Sequence, residues 1–253
     1  MSENNTTLDA AILGLLVAAG LATAGYFVSN TVYKGKLASN TVTVKGFSER
    51  DVRADLALWT ISYSITGGNL TDLYAQSSKN GNAIVDFLGK EGFKKGEIKF
   101  GDVQITDLLA NQFRQNNVAE DKRYILKSTI AVRSNDVALV DQATHALNDL
   151  IRQGIVLTSN EVDFEFTRLN EIKAPMLRAA TQNARGAAQQ FANDAGSRVG
   201  SIQTANQGFF SVGSRDSPTA QNQDGEENGG SGAQNTIDKK VRVVVTLTYY
   251  LEK

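Results

Sequence analysis

The chain has 253 residues, with 26 Lys and Arg against 27 Asp and Glu, a net charge of -1 and 41% apolar residues, which suffices for one large or two small domains. Near-neutrality without a basic cluster excludes bulk attraction to nucleic acid; Lys94-Lys95 and Lys239-Lys240 are isolated pairs. Cysteine is absent, which excludes disulfides, thiolate catalysis and cysteine-ligated zinc or iron–sulfur sites and leaves the compartment open.

Residues 1–9 form a polar tail, and residues 10–33, "AAILGLLVAAGLATAGYFVSNTVY", carry no charge over 24 positions. As a helix this segment spans roughly 36 Å at 1.5 Å per residue, against about 30 Å of hydrocarbon. Ala22-Thr23-Ala24 fits a signal-peptide cleavage site. The region before it lacks Lys and Arg, however, and the apolar run continues through Tyr26, Phe27 and Val28. The segment therefore reads as an uncleaved membrane anchor. Lys34 and Lys36 follow it and no basic side chain precedes it, so the positive-inside rule places the large domain, residues 37–253, in the cytoplasm.

Alternation predicts strands over residues 41–52 and 56–65, the second with Trp59, Ile61, Tyr63 and Ile65 on one face. Their proximity predicts an antiparallel hairpin turning near Arg53-Ala54-Asp55. Gly46 within the first strand predicts a bulge or a close backbone approach. Asn69 is placed to cap a helix carrying Leu70, Leu73, Tyr74, Ile84, Val85 and Leu88, which Gly92 ends. Strands follow at 98–109 and 124–132, then a helix opened by Ser134-Asn135-Asp136 and stopped by Gly154, carrying Val137, Val140, Leu147, Leu150 and Ile151. Val162, Phe164 and Phe166 mark a strand. A helix over about 173–195 starts near Pro175 and shows a small-residue stripe of Leu177, Ala180, Ala184, Ala187, Ala188 and Phe191. After a strand near 201–212, the nearly apolar-free stretch 214–236 predicts a mobile loop. "KKVRVVVTLTYYL" closes the chain as a central or near-central strand. The order ββα-ββα-β-α-ββ predicts an α+β fold, with helices on a mixed, largely antiparallel sheet, preceded by one transmembrane helix.

Candidate chemistry is sparse. His145, the only histidine, points away from its helix's apolar stripe, so a Ser-His-Asp triad is rejected. Asp163 and Glu165 share one strand face about 6.6 Å apart, within reach of the carboxylate spacing of inverting glycosidases. They also alternate with Val162, Phe164 and Phe166, as the wet face of a half-buried strand does. Glu49, Arg50, Asp51, Arg53 and Asp55 read as the charged end of a hairpin. "NGGSG" at 228–232 lacks the lysine of a phosphate loop. Trp59 and Tyr249-Tyr250 read as core and sheet residues rather than base-stacking platforms. No catalytic, cofactor-binding or metal-binding residue is assigned, and no cofactor is expected.

Three segments in order, "TVTVKGFSERDVRADLALWTISYSITGGNL", "LNEIKAPMLRAATQNARGAAQQFANDAGSRVGSIQTANQGFFSV" and "KKVRVVVTLTYYL", resemble the SIMPL-domain family of YggE-like bacterial envelope proteins over about residues 40–252. Gly46 and Glu49 keep part of that family's Gly-x-Gly-Glu pattern, with Phe47-Ser48 between them. Ala54-Asp55 stands where Pro-Asp is usual. The resemblance implies a domain in the periplasm, free or anchored in the inner membrane, a loose association with stress responses, and no known activity or cofactor. Free sheet edges in such a domain would suit homo-oligomer formation by strand addition.

Overall fold

A computed structural model describes residues 14, 16–29, 40–110, 119–216 and 235–252. Within the expected anchor, residue 14 and residues 16–29, here α1, are helical. Among the described residues no helix is long and apolar enough to cross a membrane. The remainder of the expected anchor, and residues 217–234 of the expected mobile loop, lie outside the described residues.

The elements then follow as β1 (Thr41–Arg53), β2 (Leu56–Gly67), α2 (Leu70–Glu91), β3 (Ile98–Asp107), β4 (Tyr124–Ser134), α3 (Val137–His145), α4 (Asn148–Arg152), β5 (Val156–Glu165), α5 (Leu169–Asp194), β6 (Arg198–Ser214) and β7 (Asp238–Glu252). The α+β order is the expected one, except that one helix is split into α3 and α4. The sheet is not. Two separate sheets form, ordered β1-β7-β6 and β3-β4-β2-β5.

The expected β1–β2 hairpin is therefore absent. Ala54 and Asp55 carry the chain from one sheet to the other. The Ala54 N–H donates to the Ile237 carbonyl at 2.9 Å, and the Asp55 N–H donates to the Glu165 carbonyl at 2.9 Å. Successive amides thus leave for different segments, one to Ile237 just before β7 and one to Glu165 at the end of β5, whereas a hairpin turn would return the chain onto itself.

The described residues divide into two compact units: Met1–Ser48, Leu177–Gly208 and Val244–Lys253 contribute to one, Glu49–Met176 and Phe209–Val243 to the other. In the first, the Leu251 N–H reaches the Asn40 carbonyl at 2.8 Å and the hydroxyls of Thr43 and Thr248 meet at 3.0 Å, an antiparallel pairing of β1 and β7. Helix α5 buries Ala180, Ala184, Ala188 and Ala192 in this unit, and Ile172 and Met176 of its N-terminal part in the second, a strict four-residue row of the kind that packs as an inclined ridge. Phe191, expected in this stripe, is exposed instead. Gly46 lies against the ridge. A Cβ there would overlap the Ala180 carbonyl and the Ala184 amide, and the Phe47 N–H donates to Asn183 Oδ1 at 3.1 Å. The close backbone approach expected of Gly46 is thus present, with small residues on both partners permitting it.

Pro175 lies inside α5, not in its first turn. The helix begins at Leu169, so the ring leaves the Glu171 carbonyl without an N–H partner in the helix; both residues are exposed, where water can serve that carbonyl.

In the second unit β2 is central, paired antiparallel to β4 and β5, while β3 pairs antiparallel with β4. Trp59, Ile61 and Tyr63 from β2 meet Ile84, Phe87 and Leu88 from α2, Ile130 and Val132 from β4, and Val140 and Leu150 from α3 and α4. Asn69 caps α2 by accepting from the Thr71 N–H, and Gly92 closes it at φ 109°, as the sequence predicts. Buried polar atoms are joined: Trp59 Nε1 donates to Asn160 Oδ1 at 2.6 Å, Tyr63 Oη to the Ser77 carbonyl at 3.0 Å, and the Ser77 and Ser128 hydroxyls meet at 2.9 Å.

Candidate functional site

The charged stretch 48–55 resolves into structural attachments. Glu49 accepts from Arg242 at 2.9 Å across the β1–β7 pair. The Asp55 carboxylate accepts from the Thr167 N–H at 2.8 Å, the Thr167 hydroxyl at 3.0 Å and Arg168 Nε at 2.8 Å. Burial alone would raise the pKa of Asp55, but these bonds outweigh it and hold the carboxyl below its usual value. Asp55 therefore ties the strand junction to the segment that leads into α5.

Asp163 is half-buried and Glu165 exposed near the end of β5, opposite Leu58 and Leu56 of β2. Their neighbour in charge is Lys239, which is only 3% exposed. Lys239 is in phase with Val241, Val243, Val245, Leu247 and Tyr249 in the buried row of β7. Burial drives its ammonium below the usual lysine range, and the charges of Asp163 and Glu165 oppose that shift. Asp163 and Glu165 thus lie near enough to Lys239 for their charges to favour its ammonium form. The sequence carries a signal for this lysine, since its alternation with the three valines predicts an inward position.

His145 is exposed at the end of α3. Trp59 and Tyr249 are buried, as expected. Among the described residues, no group of three or more His, Asp or Glu side chains is placed to hold a metal ion. A shallow concavity of about 340 Å³ lies between Val85, Asp86, Gly89, Lys90, Phe93, Lys95 and Ile98.

Among the described residues, the feature with the best capacity for recognition is the β3 edge of the four-stranded sheet, where no further strand is paired. β3 lies at that edge, yet Phe100, Val103 and Ile105 are 61%, 48% and 53% exposed. Their register partners Ile130, Ser128 and Leu126 belong to the face covered by α2, so the three side chains extend that apolar face beyond the helix. On α2, Leu70 and Tyr74 are also exposed and share a side with Ser77 and Gly81 through i, i+4, i+7 and i+11 spacing. Ser77 bonds Ser128, and a Cβ on Gly81 would touch the Phe100 ring at 3.0 Å, which turns this side of α2 toward β3.

Both ends of β3 are pinned. At its start Glu97 accepts from the Ser134 hydroxyl at 2.7 Å and from the Lys94 N–H at 2.8 Å, bonds that lower its pKa. At its end Asp107 makes a two-pronged pair with Arg123 at 2.7 to 3.1 Å, which holds its carboxyl below the usual range. Both ends of this edge strand are therefore held in place by side-chain bonds. The two edges differ in the sign and spacing of their charges: β3 carries Lys99, Asp102 and Asp107 with an uncharged run from Val103 to Thr106, whereas β5 carries only acidic groups, Glu161, Asp163 and Glu165, at alternate positions.

No curated protein matches the chain. The SIMPL family model, described as a protein of unknown function (DUF541), matches residues 42–249, and the chain therefore belongs to the SIMPL family.

Proposed function

We propose that this chain is a membrane-anchored envelope protein whose SIMPL domain faces the periplasm and works by self-assembly and protein contact, without catalysis. The observation that carries the reading is the pinned β3 edge, where Phe100, Val103 and Ile105 are about half exposed or more and no charge lies between Val103 and Thr106. An exposed apolar edge strand promotes association unless charge, proline or a cover suppresses it. The uncharged run 10–33 supports the anchor, and the family resemblance supports the periplasmic side and a setting in stress responses. Light scattering on the full chain in mild detergent tests assembly; a strict monomer at the highest attainable concentration overturns it.

A second reading has its own observation. Lys34 and Lys36 after the apolar run favour a cytoplasm-facing adaptor. Alkaline phosphatase fused to the C-terminus separates the two, because strong phosphatase activity requires export. A hydrolase reading on Asp163 and Glu165 has less support, since both carboxylates act on Lys239. Any turnover that survives replacing them with Asn and Gln removes that assignment.

A further inference from the structure

We propose that β3 pairs antiparallel with β3 of a second copy of this chain about a two-fold axis at Gln104. This rests on the assembly reading above and adds its edge, partner and register. In an antiparallel pair of identical strands the two-fold passes through one facing pair, so one residue must face its own copy.

The sequence of β3 decides which residue that is. The ladder of β3 with β4 is irregular between Phe100 and Val103 and regular from Val103 to Asp107, so the axis belongs in or beside the regular part. Centred on Asp102, two carboxylates would face each other, which is repulsive. Centred on Val103, Ile105 faces Gly101 across the irregular region and gains little contact. Centred on Ile105, Val103 faces the Asp107 carboxylate. Centred on Thr106, Ile105 faces it. Only with Gln104 at the axis does Val103 face Ile105 twice over, with Gln104 against Gln104 and Asp102 against Thr106 on the opposite side. No like charges face each other in that register.

The faces agree as well. Facing residues of an antiparallel pair point to the same side of the sheet, so both Val103–Ile105 pairs lie on the side of α2. Gln104 is exposed on the other side, where its Cβ stands about 4.5–5.5 Å from its copy. The β5 edge differs in that all of its charges, Glu161, Asp163 and Glu165, are acidic.

The absence of cysteine makes the test direct. Gln104→Cys in the full chain, treated with diamide, is expected to give a disulfide-linked dimer in high yield. Lys79→Cys, exposed on α2, is expected to give little. Val103→Lys combined with Ile105→Lys is expected to weaken association at least tenfold by light scattering, with circular dichroism unchanged. A wild-type chain that associates while Gln104→Cys fails to cross-link, or while the double lysine variant associates equally well, overturns this edge and register and leaves assembly standing. A wild-type chain that never associates overturns both.

Discussion

Asp55→Ala is the most informative single substitution, because it removes three hydrogen bonds from one partly buried carboxylate. Hydrogen bonds to charged groups contribute about 1.5–3 kcal/mol each when sheltered and less when water can replace the lost partner. Thr167 is exposed, so its amide and hydroxyl together count for roughly 1.5 kcal/mol by that reasoning. The Arg168 side chain is 59% exposed, and such a pair is worth about 0.5 kcal/mol. The expected loss for Asp55→Ala is about 2 kcal/mol, and about 1 kcal/mol for Asp55→Asn, which keeps an acceptor and loses the charge. Trp59, the only tryptophan and fully buried in the adjoining strand, reports unfolding in urea. With a slope of about 2–3 kcal/mol/M, the midpoint for Asp55→Ala falls by roughly 0.7–1 M.

The pH dependence follows from the direction of the shift. Folding lowers the pKa of Asp55, so its contribution is complete above the unfolded-state value near 3.9 and is lost as pH falls through the lower, folded-state value. The gap between wild type and Asp55→Asn should therefore be constant at neutral pH and close in acid. An Asp55→Ala loss under 0.5 kcal/mol, or a gap that persists unchanged to pH 2, refutes the reasoning.

Gly46→Ala forces a methyl into the backbone of α5 and should cost about 3 kcal/mol, the upper end of overpacking, whereas Gly89→Ala, with open space around it, should stabilise by about 0.5–1 kcal/mol; circular dichroism melts compare the two. Lys239→Met should gain stability relative to wild type at neutral pH. That advantage should shrink as pH rises through the depressed folded-state pKa of the lysine toward its ordinary value near 10.4, which urea titrations between pH 7 and 10.5 measure. Asn160→Ala leaves Trp59 Nε1 without its acceptor and should cost about 1–3 kcal/mol, together with a shift in Trp59 emission.

Local signals were legible where their cause is local. The Asn69 and Gly92 caps, the in-phase alanines of α5 and the crowding at Gly46 all follow from spacing and side-chain size. The junction at Ala54-Asp55 was not legible. Two residues ending in an aspartate between strands resemble a turn, and only the distant acceptors Ile237 and Glu165 reveal a crossing between sheets. The exposure of Phe100, Val103 and Ile105 was hidden for a related reason. Their alternation is that of any half-buried strand, and their place at an edge depends on a strand order that sequence spacing does not encode. Lys239 had a readable signal in the alternation of β7, but a charged pair at a strand start reads first as solvent-facing.

The junction between the sheets also supplies two neighbouring reporters. Deuterium exchange at the Ala54 amide requires release from Ile237, and at the Asp55 amide release from Glu165. Exchange from an ordered strand tracks the free energy of the opening that frees it. Equal protection at these consecutive positions means that both sheets open in one cooperative event, and unequal protection ranks them. One pair of adjacent residues thus measures whether the fold yields as a whole or sheet by sheet.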